Sequence, residues 1–318
     1  MKIRRQTNLL WGVVLLAIVV VLFLRALGQI PDGVYDLMLR ALPALLVLAG
    51  LSVFLRGRVP FGSGLAFILT AILVGGVATY SFSTRAEQQR DDNRVNFEQP
   101  VSDGITLLRV RLHTLTTDVI LARALDGGSI SGEFVGSSES AIQVDYTEAG
   151  DGTATFTLRE AQPGGFPSLS AVGRGQLSIE LPPQLPTDIE FIGADGDATL
   201  DARDIWLERL NIDLREGDAL VTLPAYDPQG SSDDAMLGAW AVRDGDITVV
   251  VPTSVAAHLE LDRGLSGIQP QYDPTVYNLL ATGTTGALEA RNYDTAEIRV
   301  RYHITAPRGQ IRLDVAPE

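Results

Sequence analysis

The sequence predicts a membrane-anchored all-β chain: three amino-terminal transmembrane helices followed by a β-solenoid. Three observations carry this expectation. Gly196-Asp197, Gly217-Asp218 and Gly245-Asp246 each lead into an aliphatic or β-branched run, the last two ending in Leu-Pro and Val-Pro. A turn residue that tolerates positive φ, followed by strand-forming residues, reads as turn then strand. Glycines at 104, 128, 152, 175, 196, 217, 245, 267, 286 and 309 recur at intervals of 24, 24, 23, 21, 21, 28, 22, 19 and 23 residues, the interval of one solenoid coil. Finally, three long apolar runs fill the first 82 residues.

Taken in order, Met1-Lys-Ile-Arg-Arg is a basic start, and Leu9 to Leu24 is uncharged and mostly aliphatic. No small-residue cleavage site follows it, so it reads as a retained helix near 9–27 rather than a signal peptide. Ala41 to Leu55, extended back to Leu37, predicts a second span near 37–55. Phe61 to Phe82 carries no charge and predicts a third near 61–82. Its small residues Ala71, Gly75 and Thr79 are four apart and offer a face for homo-oligomerisation. Lys2, Arg4 and Arg5 against Arg25 favour a cytoplasmic amino terminus. Three spans then place the β domain outside the cytoplasm, in a multi-pass protein of the cell membrane.

Residues 83–100 are polar and unpatterned and read as a tether; 101–318 read as the repetitive β domain. There, Leu177, Ile179 and Leu181 alternate with polar residues, as do Leu210, Ile212 and Leu214, then Ile298, Val300 and Tyr302, then Ile311, Leu313 and Val315. Period two puts one face in a core and the other in water. A longer repeat links Leu181-Pro182 through Phe191 with Val251-Pro252 through Leu261. A β-sandwich with regular turns is the other architecture these spacings allow. The 28-residue interval holds a loop, Tyr226 to Asp234, that reads as an insertion, and Tyr226, Asp227, Asp233 and Asp234 are its candidate partner contacts.

Composition narrows the chemistry. There is no cysteine, which excludes disulfides, thiolate metal sites and cysteine nucleophiles. Residues 1–96 carry ten basic and five acidic side chains, whereas 97–318 carry 15 arginines and 34 acids, net −19. Such a domain repels nucleic acid, which is therefore not an expected partner. His113, His258 and His303 show no metal-ligand spacing. Asp195 to Asp201 superficially resembles a calcium loop, but Trp206 stands where the bidentate glutamate would be. No phosphate loop, dinucleotide fingerprint or nucleophile elbow occurs, and no cofactor is expected. Asp195, Asp197, Asp201, Asp213 and Asp218 could line one surface as paired acids do in carbohydrate-active β-helices.

The stretches Leu185-Pro-Thr-Asp-Ile-Glu-Phe-Ile-Gly-Ala-Asp-Gly-Asp-Ala-Thr-Leu-Asp and Leu207-Glu-Arg-Leu-Asn-Ile-Asp-Leu-Arg-Glu-Gly-Asp-Ala-Leu-Val-Thr-Leu-Pro resemble the bacterial toastrack domains, which are adhesin-like and related to LiaF-type proteins. In all three copies the first glycine of the family's Gly-x-Gly-Asp turn is replaced, by Ala194, Arg215 and Arg243. The apolar segments around Leu10 and Leu42 are similar to the LiaI/LiaF-type transmembrane region. The resemblance implies a non-enzymatic accessory or scaffold protein of cell-envelope stress sensing, with a membrane sensor kinase or a sister envelope-stress protein as partner. A surface adhesin or wall-polymer-binding module is the alternative, and a carbohydrate-active enzyme a third.

Overall fold

The computed structural model describes residues 76, 85–125, 127–162, 172–228, 235–262, 264, 269–280 and 285–316. Seventeen strands follow in chain order. They are β1 (Asn93–Pro100), β2 (Leu107–Arg123), β3 (Ser129–Gly136), β4 (Ala141–Glu148), β5 (Thr153–Ala161), β6 (Gly175–Leu181), β7 (Thr187–Asp195), β8 (Ala198–Asp201) and β9 (Leu207–Glu216). After them come β10 (Ala219–Thr222), β11 (Ala239–Asp244), β12 (Ile247–Pro252), β13 (Val255–Asp262), β14 (Tyr277–Leu280), β15 (Thr285–Ala290), β16 (Ile298–Thr305) and β17 (Ile311–Ala316).

The strands form one curled sheet with two limbs. In the first limb β5, the first half of β2, β7, β9, β11, β16 and β13 run parallel, side by side. In the second, β6, the second half of β2, β8, β10, β12 and β17 do the same. From β2 to β16 each strand of the first limb turns a corner into its partner in the second, and β5 and β6 are joined through residues outside the described ones. The result is six stacked coils: β5/β6, β2, β7/β8, β9/β10, β11/β12 and β16/β17. Antiparallel strands close the ends: β4 on β5, β3 and β1 beyond β6, and β15 and β14 beyond β13.

Period-two alternation produces the core. On β6, Leu177, Ile179 and Leu181 are fully buried, and on β9 so are Leu210, Ile212 and Leu214. They meet between the limbs with Phe134, Phe156, Phe191 and the Trp240–Tyr302 pair, whose ring centroids lie 4.5 Å apart. The longer repeat has a structural counterpart. Leu181-Pro182 and Val251-Pro252 mark the crossings β6 to β7 and β12 to β13, both from the second limb to the first.

Three expectations are corrected. The membrane-anchored fold class gives way to an all-β, β-solenoid-like curled sheet, and among the described residues no helix is long and apolar enough to cross a membrane. That expectation rested chiefly on hydropathy, which measures a run's preference for apolar surroundings and does not say whether lipid or protein supplies them. The spans expected at 9–27, 37–55 and 61–82 lie outside the described residues, apart from Gly76. The glycine interval also overstated the stack. Gly152 lies in the β4–β5 hairpin, Gly286 on the end strand β15, and Gly104 and Gly128 in the connections of β2 to the end strands β1 and β3, none of them at a corner between the limbs. The polar segment 83–100 contains a strand as well: β1 pairs antiparallel with β3, and Val95 and Phe97 pack against the core.

Candidate functional site

The corner between the limbs is built from the Gly-Asp turns. Gly196, Gly217 and Gly245 have φ of 132°, 123° and 149°. A Cβ on Gly217 would lie 2.2 Å from the carbonyl oxygen of Gly196 in the adjoining coil, so a side chain is excluded by space as well as by conformation. The aspartates that follow form a ladder. The amide of Asp197 donates to Asp118 Oδ1 at 2.9 Å, that of Asp218 to Asp197 Oδ1 at 2.9 Å, that of Asp246 to Asp218 Oδ1 at 2.8 Å, and that of Gln310 to Asp246 Oδ1 at 2.7 Å. Each carboxylate thus bonds the backbone of the neighbouring coil. Arg174 closes one end, 3.1 Å from Asp195 and 3.5 Å from Asp118.

The β2 coil has no glycine at this corner; Thr117 and Asp118 stand there. Here a buried carboxylate does the joining. Glu160 Oε2 accepts from the amides of Leu115 at 2.6 Å and Thr116 at 3.2 Å and from the Thr117 hydroxyl at 2.8 Å. Sequence reading missed Asp118, Glu160 and Arg174, because each acts on residues more than 20 positions away.

On the outer face of the first limb the regular alternation breaks once in β9. Leu207 pairs with Thr187 and Arg209 with Asp188, so Glu208 is an extra residue, a β-bulge. Two consecutive side chains, Glu208 and Arg209, therefore face outward opposite Asp188. All three line an open depression of about 350 Å³, together with Thr106 and Met236. Tyr226 braces it: its hydroxyl donates to Glu208 Oε1 at 2.6 Å, and its ring stacks on Trp206 at 5.6 Å and 7°. Burial holds the Asp188 carboxyl above its usual range, against the pull of Arg209 and Arg109. The sequence carried a signal for this site. Leu207 is out of phase with Leu210, Ile212 and Leu214, and only an inserted residue lets all four point inward.

Of the candidate contact residues, Tyr226 is the brace just described and Asp227 beside it is exposed; Asp233 and Asp234 lie outside the described residues. Asp197, Asp218 and Asp246 are the corner ladder. The histidines are separate: His258 Nδ1 lies 2.7 Å from Glu289, His303 Nδ1 lies 3.6 Å from Glu260, and His113 sits on β2, its pKa lowered by burial and by Arg159. Among the described residues no group of three or more histidines, aspartates or glutamates is placed to hold a metal ion.

No family model and no curated protein matches the chain. Two solved structures align with the chain, and the first shares its fold. A protein from Clostridium sporogenes named as a cell adhesion protein aligns with a TM-score of 0.56 at 17% identity, over 70% of this chain and all of that one. A protein from Bacteroides fragilis named as an adhesin aligns at 10% identity with a TM-score of 0.24, over 72% of this chain and 99% of that one. The first likeness is one of fold alone: a curled β domain shared with a protein named for cell adhesion.

Proposed function

We propose that this chain is a surface-binding module of the adhesin kind that recognises wall polymer by contact, without catalysis. The observation that carries this reading is the bulge depression: an open recess that sets Asp188, Glu208 and Arg209 beside Leu107, Pro186 and Met236, with the stacked Trp206–Tyr226 pair bracing Glu208. Among the described residues no nucleophile, base and oxyanion donors converge on it, and a recess of that kind suits holding a ligand better than transforming one. The shared fold with a protein named for cell adhesion supports the same reading over an accessory role in envelope-stress signalling.

Beads coated with the full chain are expected to be retained on insoluble peptidoglycan well above albumin-coated beads. Equal retention of the two would sink the proposal. A wall-binding role also puts the domain outside the cytoplasm. The chain has no native cysteine, so a single Thr147→Cys, on the exposed edge strand β4, is the only thiol. It should react with a membrane-impermeant maleimide in intact cells, and labelling only after lysis would contradict that placement.

A further inference from the structure

We infer that β1 is a self-complementary sheet edge through which two copies of the chain pair antiparallel, continuing the second limb of one copy into that of the other. The inference goes beyond the surface-binding reading and uses none of its residues. Among the described residues β1 pairs on one side only, with β3. The Val101 amide donates to the Gly128 carbonyl at 2.9 Å and sets the phase of that ladder. Successive residues alternate, so the backbone groups of Val95 and Phe97 turn towards β3 and those of Arg94, Asn96 and Glu98 towards the open side. The side chains alternate too. Arg94, Asn96 and Glu98 are exposed, while Val95 and Phe97 pack against the core, the Phe97 ring 5.9 Å from that of Phe156. An edge of this kind is a template for another strand unless something blunts it.

The order of the side chains names the occupant. Centred on Asn96, a second copy running antiparallel sets Asn96 against Asn96, Arg94 against Glu98 and Glu98 against Arg94, with Val95 against Phe97 on the inner face. The phase agrees, since the residues that meet as hydrogen-bonded pairs are those whose amides and carbonyls face the open side. Opposite charges, and an aromatic with a β-branched side chain, are favourable cross-strand pairs. Sliding the centre to Val95 or Phe97 sets Arg94 or Glu98 against Asn96 and loses both ion pairs. Arg94 already meets Glu133 at 2.8 Å and Asp91 at 3.3 Å, yet 55% of its side chain is exposed and a guanidinium has donors for a further carboxylate. Glu98 accepts from the Ser129 hydroxyl at 3.3 Å and has acceptor positions beyond that bond. Residues 97–318 carry net −19, so copies repel one another in general, and an edge that pairs with itself must set cation against anion. The other ends do not. β4 carries Asp145 and Glu148 and no cation, β14 has four residues and no charge, and Gln271 bonds the outer side of β17.

The test is disulfide capture in the full chain, which has no native cysteine. Asn96→Cys places the only thiol at the two-fold centre, where facing Cα atoms lie ~5.5 Å apart, within the ~4.4–6.8 Å that a disulfide spans. Under mild oxidation this chain should form a linked dimer. Gln99→Cys, whose two thiols would lie roughly 20 Å apart along the strands, should stay single. Carried on the Asn96→Cys chain, Arg94→Glu sets acid against acid and Glu98→Arg sets base against base; each alone should cut the linked fraction about tenfold. Mixed together, the two variants match charge again and should link at close to the native yield, which misfolded chains would not do. The inference is overturned if position 96 does not link, if Gln99→Cys links as readily, if either charge variant links with itself as the native chain does, or if the mixture links no better than its parts. Dimers held through the amino-terminal apolar segments alone would leave position 96 unlinked and count against the edge. Retention of coated beads on peptidoglycan bears on the surface-binding reading and not on this one.

Discussion

Gly217 is where one side chain most sharply tests the corner. Its φ of 123° is strained for any residue with a Cβ, and that Cβ would sit 2.2 Å from Gly196 O. Gly217→Val should cost about 3 kcal/mol from backbone strain alone, a fall of roughly 6–12 °C in melting midpoint for a domain of this size. An unchanged midpoint would refute the corner geometry. Asp188 makes the opposite prediction. A carboxyl whose folded-state pKa is raised favours the fold while protonated, so its ionisation subtracts stability as pH rises from the unfolded-state value of about 4 through the folded-state one. Asp188→Asn should therefore melt at or above the native midpoint at pH 7, the difference closing towards pH 3. A variant that melts lower at pH 7 would show that the Arg109 and Arg209 attractions outweigh burial.

At the scale of elements, the ladder says the coils are joined by side chain to backbone bonds at their corners. Asp218→Ala removes the acceptor for the Asp246 amide at an exposed position and should cost about 1 kcal/mol, or ~2–4 °C. Asp218→Asn, which keeps the acceptor oxygen, should melt close to the native chain; equal losses in both variants would mean the charge, not the bond, matters. Much of this element structure was legible in the sequence. The strands containing Leu177, Leu210, Val300 and Leu313 show their buried face by alternation, and the Gly-Asp pairs mark the corners. The stacking order was not legible. The β2 coil inserts between β5/β6 and β7/β8, and β16/β17 between β11/β12 and β13. Those neighbours are chosen by which buried faces fit across long separations, and no local pattern records that choice. The same holds for Glu160, whose partners at Leu115, Thr116 and Thr117 are about 45 positions away. The bulge at Glu208 was legible as the phase slip between Leu207 and Leu210, yet its meaning needed Asp188 and Tyr226 beside it.

At the scale of the molecule, the described domain is a stack of coils whose interior is filled by side chains, so its working surface is its outer face. The charge of −19 on residues 97–318 sets the domain against polyanions. The most direct test is the retention of chain-coated beads on insoluble peptidoglycan, with Glu208→Gln beads and albumin-coated beads alongside. Native beads should be retained well above albumin, and Glu208→Gln beads, whose chain melts as the native one does, should be poorly retained. Native and Glu208→Gln beads held equally, or native beads held no better than albumin, would contradict a wall-binding surface centred on the β9 bulge.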